Sequence, residues 1–208
     1  MSDEEREEVE LDLSSPEVVT KYKLAAETVN KALQLVLSEC RPNAKIVDIC
    51  EKGDSYITTQ TSNMYKNVKK KVEKGIAFPT CLSVNNTVCH FSPLASDETV
   101  LEEGDVIKID MGCHIDGFIA VVAHSHVLQQ GKVTGKAADV LAAANTAAEV
   151  ALRLVRLGKK QTHCCSSNPS TSTIATLHSP CPHTILFHRI IISSSEALIF
   201  IHIAEFVV

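Results

Sequence analysis

The chain has 208 residues and a formal net charge of −5 at pH 7, so it is long enough for one ordinary hydrophobic core or two small ones. Hydrophobic residues make up 45% of the chain and charged residues 22%, which excludes collagen-like and wholly disordered classes. No run of about eighteen apolar residues occurs, and the N-terminus is acidic where a secretory leader is basic and then apolar, so we expect neither a membrane span nor secretion. The eight cysteines include no CxxC pair, and we expect free thiols in a reducing compartment.

Two helices are predicted after an acidic arm, residues 1–15, which we expect to be disordered. Ser15 and Pro16 supply a cap and a first helical residue, and apolar residues then recur at three- and four-residue steps, so a helix is predicted from about Pro16 to Glu39. Its apolar stripe comprises Val18, Tyr22, Ala25, Val29, Ala32, Leu33 and Val36. A second helix is predicted from Ile46 to Tyr65, followed by the Lys-rich stretch NVKKKVEKG.

The middle of the chain has strand patterns. The segment IAFPTCLSVNNTVCHF predicts two short strands joined by a turn at Asn85-Asn86. In DVIKIDMGCHIDGFIAVVAHSHVL, two apolar runs flank Asp116-Gly117, a strong signal for a tight turn, so an antiparallel hairpin is predicted. Thr134 can cap a third, Ala-rich helix that ends at Gly158. This order of elements predicts an α+β domain with an antiparallel sheet and covering helices.

The composition changes near residue 161. All eight Gly and all but three of the charged residues precede Thr162, and the runs TILFHRIII and ALIFIHIAEFVV are β-prone and nearly uncharged. We therefore predict a domain over residues 16–160 and an atypical tail over 161–208, translated from an alternative exon or a shifted frame. Exposed apolar strand surface predicts poor solubility relative to a full-length relative.

Five stretches carry a resemblance to a known family: VVTKYKLAAETVNKAL, CEKGD, KGIAFPTCLSVNNTVCHFSPL, EEGDVIKIDMGCHIDGFIAVVAH and VTGKAADVLAAANTAAEVALRLV. Together they resemble the N-terminal part of the proliferation-associated, ErbB-receptor-binding protein family, which is related to methionine aminopeptidases. The resemblance covers about Val18 to Leu157. It implies the N-terminal part of a pita-bread (creatinase/aminopeptidase) fold, in incomplete form.

The resemblance also implies where a metal centre would lie. The peptidase branch holds two divalent metals through two Asp, one His and two Glu, and a further His touches the substrate. Asp110 matches the first Asp and His90 matches the substrate-side His, but the second Asp position is Val121, which offers a metal no lone pair. The other ligands would lie in a C-terminal half that has no recognisable equivalent here. We therefore predict no catalytic residue and no cofactor, with His90 and Asp110 as relict positions.

From its residues alone, Asp110 is expected to be a solvated or turn-bonded carboxylate at a strand end. His114, His124 and His126 lie around the hairpin, and His124 and His126 share one strand face at a spacing of two. Two ligands alone make a weak metal site, so we favour surface or half-buried histidines on an edge strand.

A basic cluster interrupts the acidic chain. The cluster has a local charge of +4, because five lysines are offset only by Glu73. These lysines are Lys66, Lys69, Lys70, Lys71 and Lys74. Such a patch can bind RNA phosphates through counterion release. A solvated helix end, where lysines favour the negative end of the helix dipole, is an equal alternative from the sequence alone. The resemblance favours RNA, because family members are associated with RNA, ribosomes and ribonucleoprotein particles.

Three functions follow. The first is a non-catalytic aminopeptidase-like scaffold that binds RNA, ribonucleoprotein such as the ribosome, or protein partners in growth and translation control. For it the resemblance implies the cytoplasm and the nucleus, including the nucleolus. The second is a metal-dependent methionine aminopeptidase, and the third is a truncated product without independent function.

Overall fold

The computed structural model describes residues 14–68, 71–154, 174–176, 188–194 and 197–203, and side chains within residues 14–68 and 71–146. Its elements are α1 (Pro16–Glu39), α2 (Ile46–Ser62), β1 (Lys74–Val84), β2 (Val106–Ile115), β3 (Phe118–Val127), α3 (Gly135–Leu154), β4 (Ile174–Thr176), β5 (His188–Ser194) and β6 (Ala197–Ile203). Strands β1, β2 and β3 form one antiparallel sheet in that order, and β4, β5 and β6 form a second within the tail. The predicted α+β class is confirmed. Most of the acidic arm, residues 1–13, lies outside the described residues.

Helix α1 has the predicted bounds, with Pro16 in its first turn. The predicted apolar stripe faces the sheet, and all of it except half-buried Tyr22 is buried. Lys21 is also buried, which the apolar pattern did not predict. Its Nζ lies 2.6 Å from an Oε1 of Glu17 and 2.6 Å from Oδ2 of Asp116, so α1 is tied to the turn of the hairpin.

Helix α2 ends three residues before the predicted Tyr65. Asn63 is its C-cap, and Tyr65 has a φ of 49°, in the left-handed region that a helix cannot use. Near the middle of α2, Gly53 permits close packing on the sheet, because a Cβ there would lie 2.9 Å from Oγ1 of Thr80. The next residue, Asp54, accepts hydrogen bonds from the backbone N–H of Thr80 at 2.9 Å and from its hydroxyl at 2.7 Å. These contacts fix α2 to β1.

The predicted hairpin is confirmed as β2 and β3. Asp116 has a φ of 56° and Gly117 a φ of 82°, the left-handed pair that a two-residue hairpin turn requires. Ten residue pairs join the two strands without interruption, from Val106 opposite Val127 to Ile115 opposite Phe118. The turn is also held by the Asp116 N–H, which donates to the carbonyl oxygen of Glu73 at 2.5 Å.

The prediction of two strands around Asn85-Asn86 is wrong, because only β1 forms. Asn85 ties the end of β1 to the start of β2: its backbone N–H donates to the Val106 carbonyl, and its side chain bonds the Val106 N–H and the Asp105 carboxylate. The chain then returns as a loop beside β1, where the carbonyl of Phe91 accepts from the N–H of Leu82 at 2.9 Å. Strand β1 has register shifts on both sides of Phe78.

Within the described residues, no helix is both long enough and apolar enough to cross a bilayer. Five cysteines fall in the part whose side chains are described, and all five are free thiols, as predicted: Cys40, Cys50, Cys81, Cys89 and Cys113.

Candidate functional site

The two faces of β2 have different chemistry because successive side chains of a strand alternate. One face carries Ile107, Ile109, Met111, Cys113 and Ile115, which join the core beneath α1 and α2. The other face carries Lys108, Asp110, Gly112 and His114. On β3, Ala123 is opposite Asp110 and Val121 is opposite Gly112, so Asp110 and Val121 share one face of neighbouring strands. We call this surface the Asp110 face.

Asp110 is buried in the middle of β2, with 6% of its surface exposed. Nδ1 of His90 lies 2.9 Å from Oδ2 of Asp110, so the two positions that the resemblance matches to peptidase site residues are in direct contact. The expectation of a solvated or turn-bonded carboxylate at a strand end is therefore wrong. The reason is that β2 continues to Ile115, while the loop carrying His90 returns beside β1 and is held by the Phe91 N–H donating to Oγ of Ser83 at 3.2 Å.

The surroundings of Asp110 do not fit the dinuclear metal centre that the resemblance implies for peptidases. Hard divalent cations prefer oxygen ligands, and Val121 offers only carbon where the second Asp would stand. The ring of Phe78 lies against the backbone of Gly112, since a Cβ on that glycine would come within 2.5 Å of Cε1 of Phe78. Among the residues described, no three His, Cys, Asp or Glu side chains are grouped so that they could hold a metal ion.

Lys108 and Cys81 are members of the Asp110 face that the sequence analysis did not single out. Lys108 is buried and its Nζ donates to the carbonyl of Asn85 at 2.6 Å. Burial lowers the pKa of Lys108 to about 8, against a smaller opposing influence of Cys89. Burial first, and then the Asp110 carboxylate, raise the pKa of Cys81 to about 11, so this thiol is protonated at neutral pH and is a poor nucleophile. The alternation of residues in KID could have identified Lys108 as a neighbour of Asp110.

Of the three histidines of the hairpin, His124 and His126 lie on an edge strand as predicted, whereas His114 lies on the central strand β2, so the prediction is wrong for it. His124 and His126 are opposite Ile109 and Ile107, so both lie on the face of β3 that is turned away from Asp110. Strand β3 is an edge of its three-stranded sheet, where His124 is exposed and His126 half-buried. His114 is half-buried on the Asp110 face. The preference for ordinary edge-strand histidines at His124 and His126 is confirmed.

The basic cluster lies in the connection between α2 and β1, not at a helix end. Lys66 and Lys71 are exposed, whereas Lys69 and Lys70 lie outside the described residues. Because α2 ends at Ser62, its dipole does not account for lysines several residues further along. Lys74 is half-buried at the first position of β1, and its Nζ donates to the carbonyl of Met64 at 2.6 Å.

Comparisons with known proteins show the family to which the chain belongs. Residues 20–166 match the model of metallopeptidase family M24. The ErbB-3 binding protein 1 of Solanum tuberosum is 82% identical over 160 residues, which are 77% of this chain and 41% of that protein. Proliferation-associated protein A of Dictyostelium discoideum is 49% identical over 151 residues, 71% of this chain and 39% of that protein.

Among solved structures, that of a thermophilic Arx1 matches with a TM-score of 0.60 at 32% identity, over 76% of this chain and 46% of that one. The elements from α1 to α3 are the N-terminal part of the pita-bread fold. The resemblance to proliferation-associated and ErbB-receptor-binding proteins is confirmed. The chain spans about two fifths of the length of the relatives named above (41% and 39%).

Proposed function

Because this chain belongs to metallopeptidase family M24 and yet carries Val121, on the Asp110 face, where a second Asp ligand would stand, we propose that it is a non-catalytic, peptidase-like scaffold. Its partner is RNA, in ribonucleoprotein such as the ribosome, and the process is growth and translation control. Protein partners belong to the same proposal, as do the cytoplasm and the nucleus, including the nucleolus. The observation that carries it is the exposure of Lys66 and Lys71 on the connection between α2 and β1, whose described residues belong to neither a helix nor a strand.

The basic cluster has the opposite charge to the chain as a whole. The whole chain is acidic, with a net charge of −5, so a general attraction to nucleic acid is absent. The basic cluster nevertheless concentrates five lysines within nine residues, Lys66 to Lys74. Phosphate contacts by the exposed lysines of this cluster release condensed counterions, so we expect weak, sequence-tolerant binding that falls steeply as salt is added.

RNA binding can be tested with two charge-matched variants. The first replaces Lys69, Lys70 and Lys71 by Ala, and the control replaces three exposed lysines elsewhere by Ala: Lys23, Lys31 and Lys132. Both lose three positive charges, so a difference between them reports position and not net charge. Fluorescence anisotropy with a labelled single-stranded RNA is measured over a range of salt concentrations.

We expect the first variant to bind more weakly and to lose about 0.7 of the salt slope for each phosphate contact removed. The control variant keeps the slope of the wild type. Equal slopes and affinities in all three proteins would assign the cluster to solvation. If the 208-residue chain binds no RNA while the potato relative does, this product lacks independent function.

The absence of catalysis is tested separately, by calorimetric titration with Mn²⁺ or Co²⁺. Activation of water between two metals requires ligands that hold both ions, and the Asp110 face supplies Asp110 with Val121 beside it. We expect no tight two-site binding. Tight binding of two ions would instead favour a metal-dependent methionine aminopeptidase.

A further inference from the structure

Lys74 differs in its surroundings from the other described lysines of the basic cluster. Its ammonium group donates to the Met64 carbonyl across ten residues, in a partly buried position. Lys66 and Lys71, which lie between these two partners in the sequence, are exposed. The contact therefore joins the two ends of the connection that carries the cluster.

Both ends of the connection are also packed on the core. Met64, Tyr65 and Val72 are partly buried against the core cluster. At the second end, the carbonyl of Glu73 accepts from the N–H of Asp116, and Lys74 is opposite Ile115 in the sheet. The Lys74 ammonium thus joins the two fixed ends of a connection on which Lys66 and Lys71 face solvent.

We propose that Lys74 is a positioning residue, which holds the connection closed so that Lys66 and Lys71 are presented to the phosphates of RNA, and that it makes no phosphate contact itself. This inference rests on the proposed RNA-binding function. Its physical basis is that a hydrogen bond from a charged group to a partly buried carbonyl is stronger than a neutral one. Ordering the connection before binding also lowers the entropy lost when RNA is bound.

The experiment is lysine footprinting of the full 208-residue chain. The native protein is treated with an amine-acetylating reagent, with and without single-stranded poly(U) of about 20 nucleotides, long enough for the site sizes of single-strand binders. Acetylation of each lysine is followed by peptide mass spectrometry. Lys23 and Lys31, exposed on α1, are the internal controls for reactive lysines outside the site.

Without RNA, we expect Lys74 to react about tenfold more slowly than Lys66 and Lys71, as a bonded ammonium on the scale of charged hydrogen bonds does. With RNA, Lys66 and Lys71 become protected while Lys74 keeps its rate. A Lys74 that reacts as fast as Lys66 without RNA, or that gains protection with RNA, overturns the inference. If RNA protects no lysine, the proposed function fails, and the rate of Lys74 without RNA still decides whether the connection is closed.

A variant supplies the second measurement. Lys74→Met keeps the length of the aliphatic chain and removes the donor, and Lys71→Met is its matched control. We expect Lys74→Met to be cleaved by trypsin at Lys66 and Lys71 at least about fivefold faster than the wild type. It should also bind RNA more weakly, with an unchanged salt slope, because the lysines that contact phosphate are retained. Lys71→Met should lower the slope by about 0.7 and leave cleavage at Lys66 unchanged. The reverse pattern would make Lys74 the phosphate contact.

Discussion

The ion pair between α1 and the hairpin turn gives the sharpest stability prediction. Lys21 has 3% of its side chain exposed and is bonded at 2.6 Å to both Asp116 and Glu17. Burial alone would lower the pKa of Lys21, but the hydrogen bonds and charges of the two carboxylates outweigh it and leave this pKa raised. The substitution Asp116→Asn removes one negative charge and keeps a residue type that tolerates the left-handed φ of 56°.

The expected loss of unfolding free energy is about 2 kcal/mol at neutral pH. Removing one partner of a fully buried pair costs about 3–5 kcal/mol. Here Asp116 is 29% exposed and Glu17 remains as a second acceptor, so the cost falls toward the value of about 1.5–3 kcal/mol for one hydrogen bond to a charged group. Glu17 is 67% exposed, so the control Glu17→Gln should cost about 0.5 kcal/mol.

These costs are measured by urea unfolding. The proteins compared are the wild type, Asp116→Asn, Glu17→Gln, Lys21→Met and the double variant that combines Lys21→Met with Asp116→Asn. In the Lys21→Met background, Asp116→Asn should cost almost nothing, because the cation that it served is gone. The pKa of Lys21 is higher in the folded protein than in the unfolded chain. The pair therefore contributes its full stabilisation at pH values below the unfolded pKa, and this stabilisation is lost as the pH rises through the folded pKa. Equal costs for Glu17→Gln and Asp116→Asn, or additive costs with Lys21→Met, would refute the reasoning.

Two further substitutions test burial. The pKa of Lys108 is lowered from 10.5 to about 8 by folding, so between these pH values the unfolded chain binds more protons than the folded protein. The stability of the wild type relative to Lys108→Met should therefore rise between pH 8 and pH 10.5, by at most about 3 kcal/mol. A difference in urea midpoint that does not change with pH would contradict a buried ammonium. Gly53→Ala should destabilise by about 1–2 kcal/mol in the same assay, because its Cβ would meet Thr80, Val36 and Met111 at 2.9–3.1 Å and overpacking exceeds the gain in helix propensity. A stabilised variant would show that these side chains move aside.

Elements with local signals were predicted well. Pro16 marked the start of α1, and Asp116-Gly117 marked the turn of the hairpin, because a fixed φ and a left-handed pair are properties of the residues themselves. The end of α2 and the missing second strand were not predicted. They depend on Tyr65 in a left-handed conformation and on Asn85, which bonds to residues about twenty positions further along.

The candidate site was predicted in part, and only with the help of the resemblance. His90 and Asp110 were matched to the substrate-side and metal-ligand positions of the peptidases, and their side chains lie 2.9 Å apart. The burial of Asp110 and Lys108 was missed, because a charged residue in a strand pattern is ordinarily assigned to the solvent. The burial of Lys21 was missed for the same reason, since its partner Asp116 is 95 residues away in the sequence.

That separation has a consequence for biosynthesis. A ribosome adds about 5–20 residues per second, so Asp116 is synthesised about 5–20 s after Lys21. During this interval the sheet on which the apolar stripe of α1 packs is incomplete, because β3 follows Asp116, while Glu17 has already been synthesised as a partner for Lys21. Docking of α1 must therefore wait for the hairpin. The nascent N-terminal helix exposes its apolar stripe, and we expect chaperones at the exit tunnel to bind this surface.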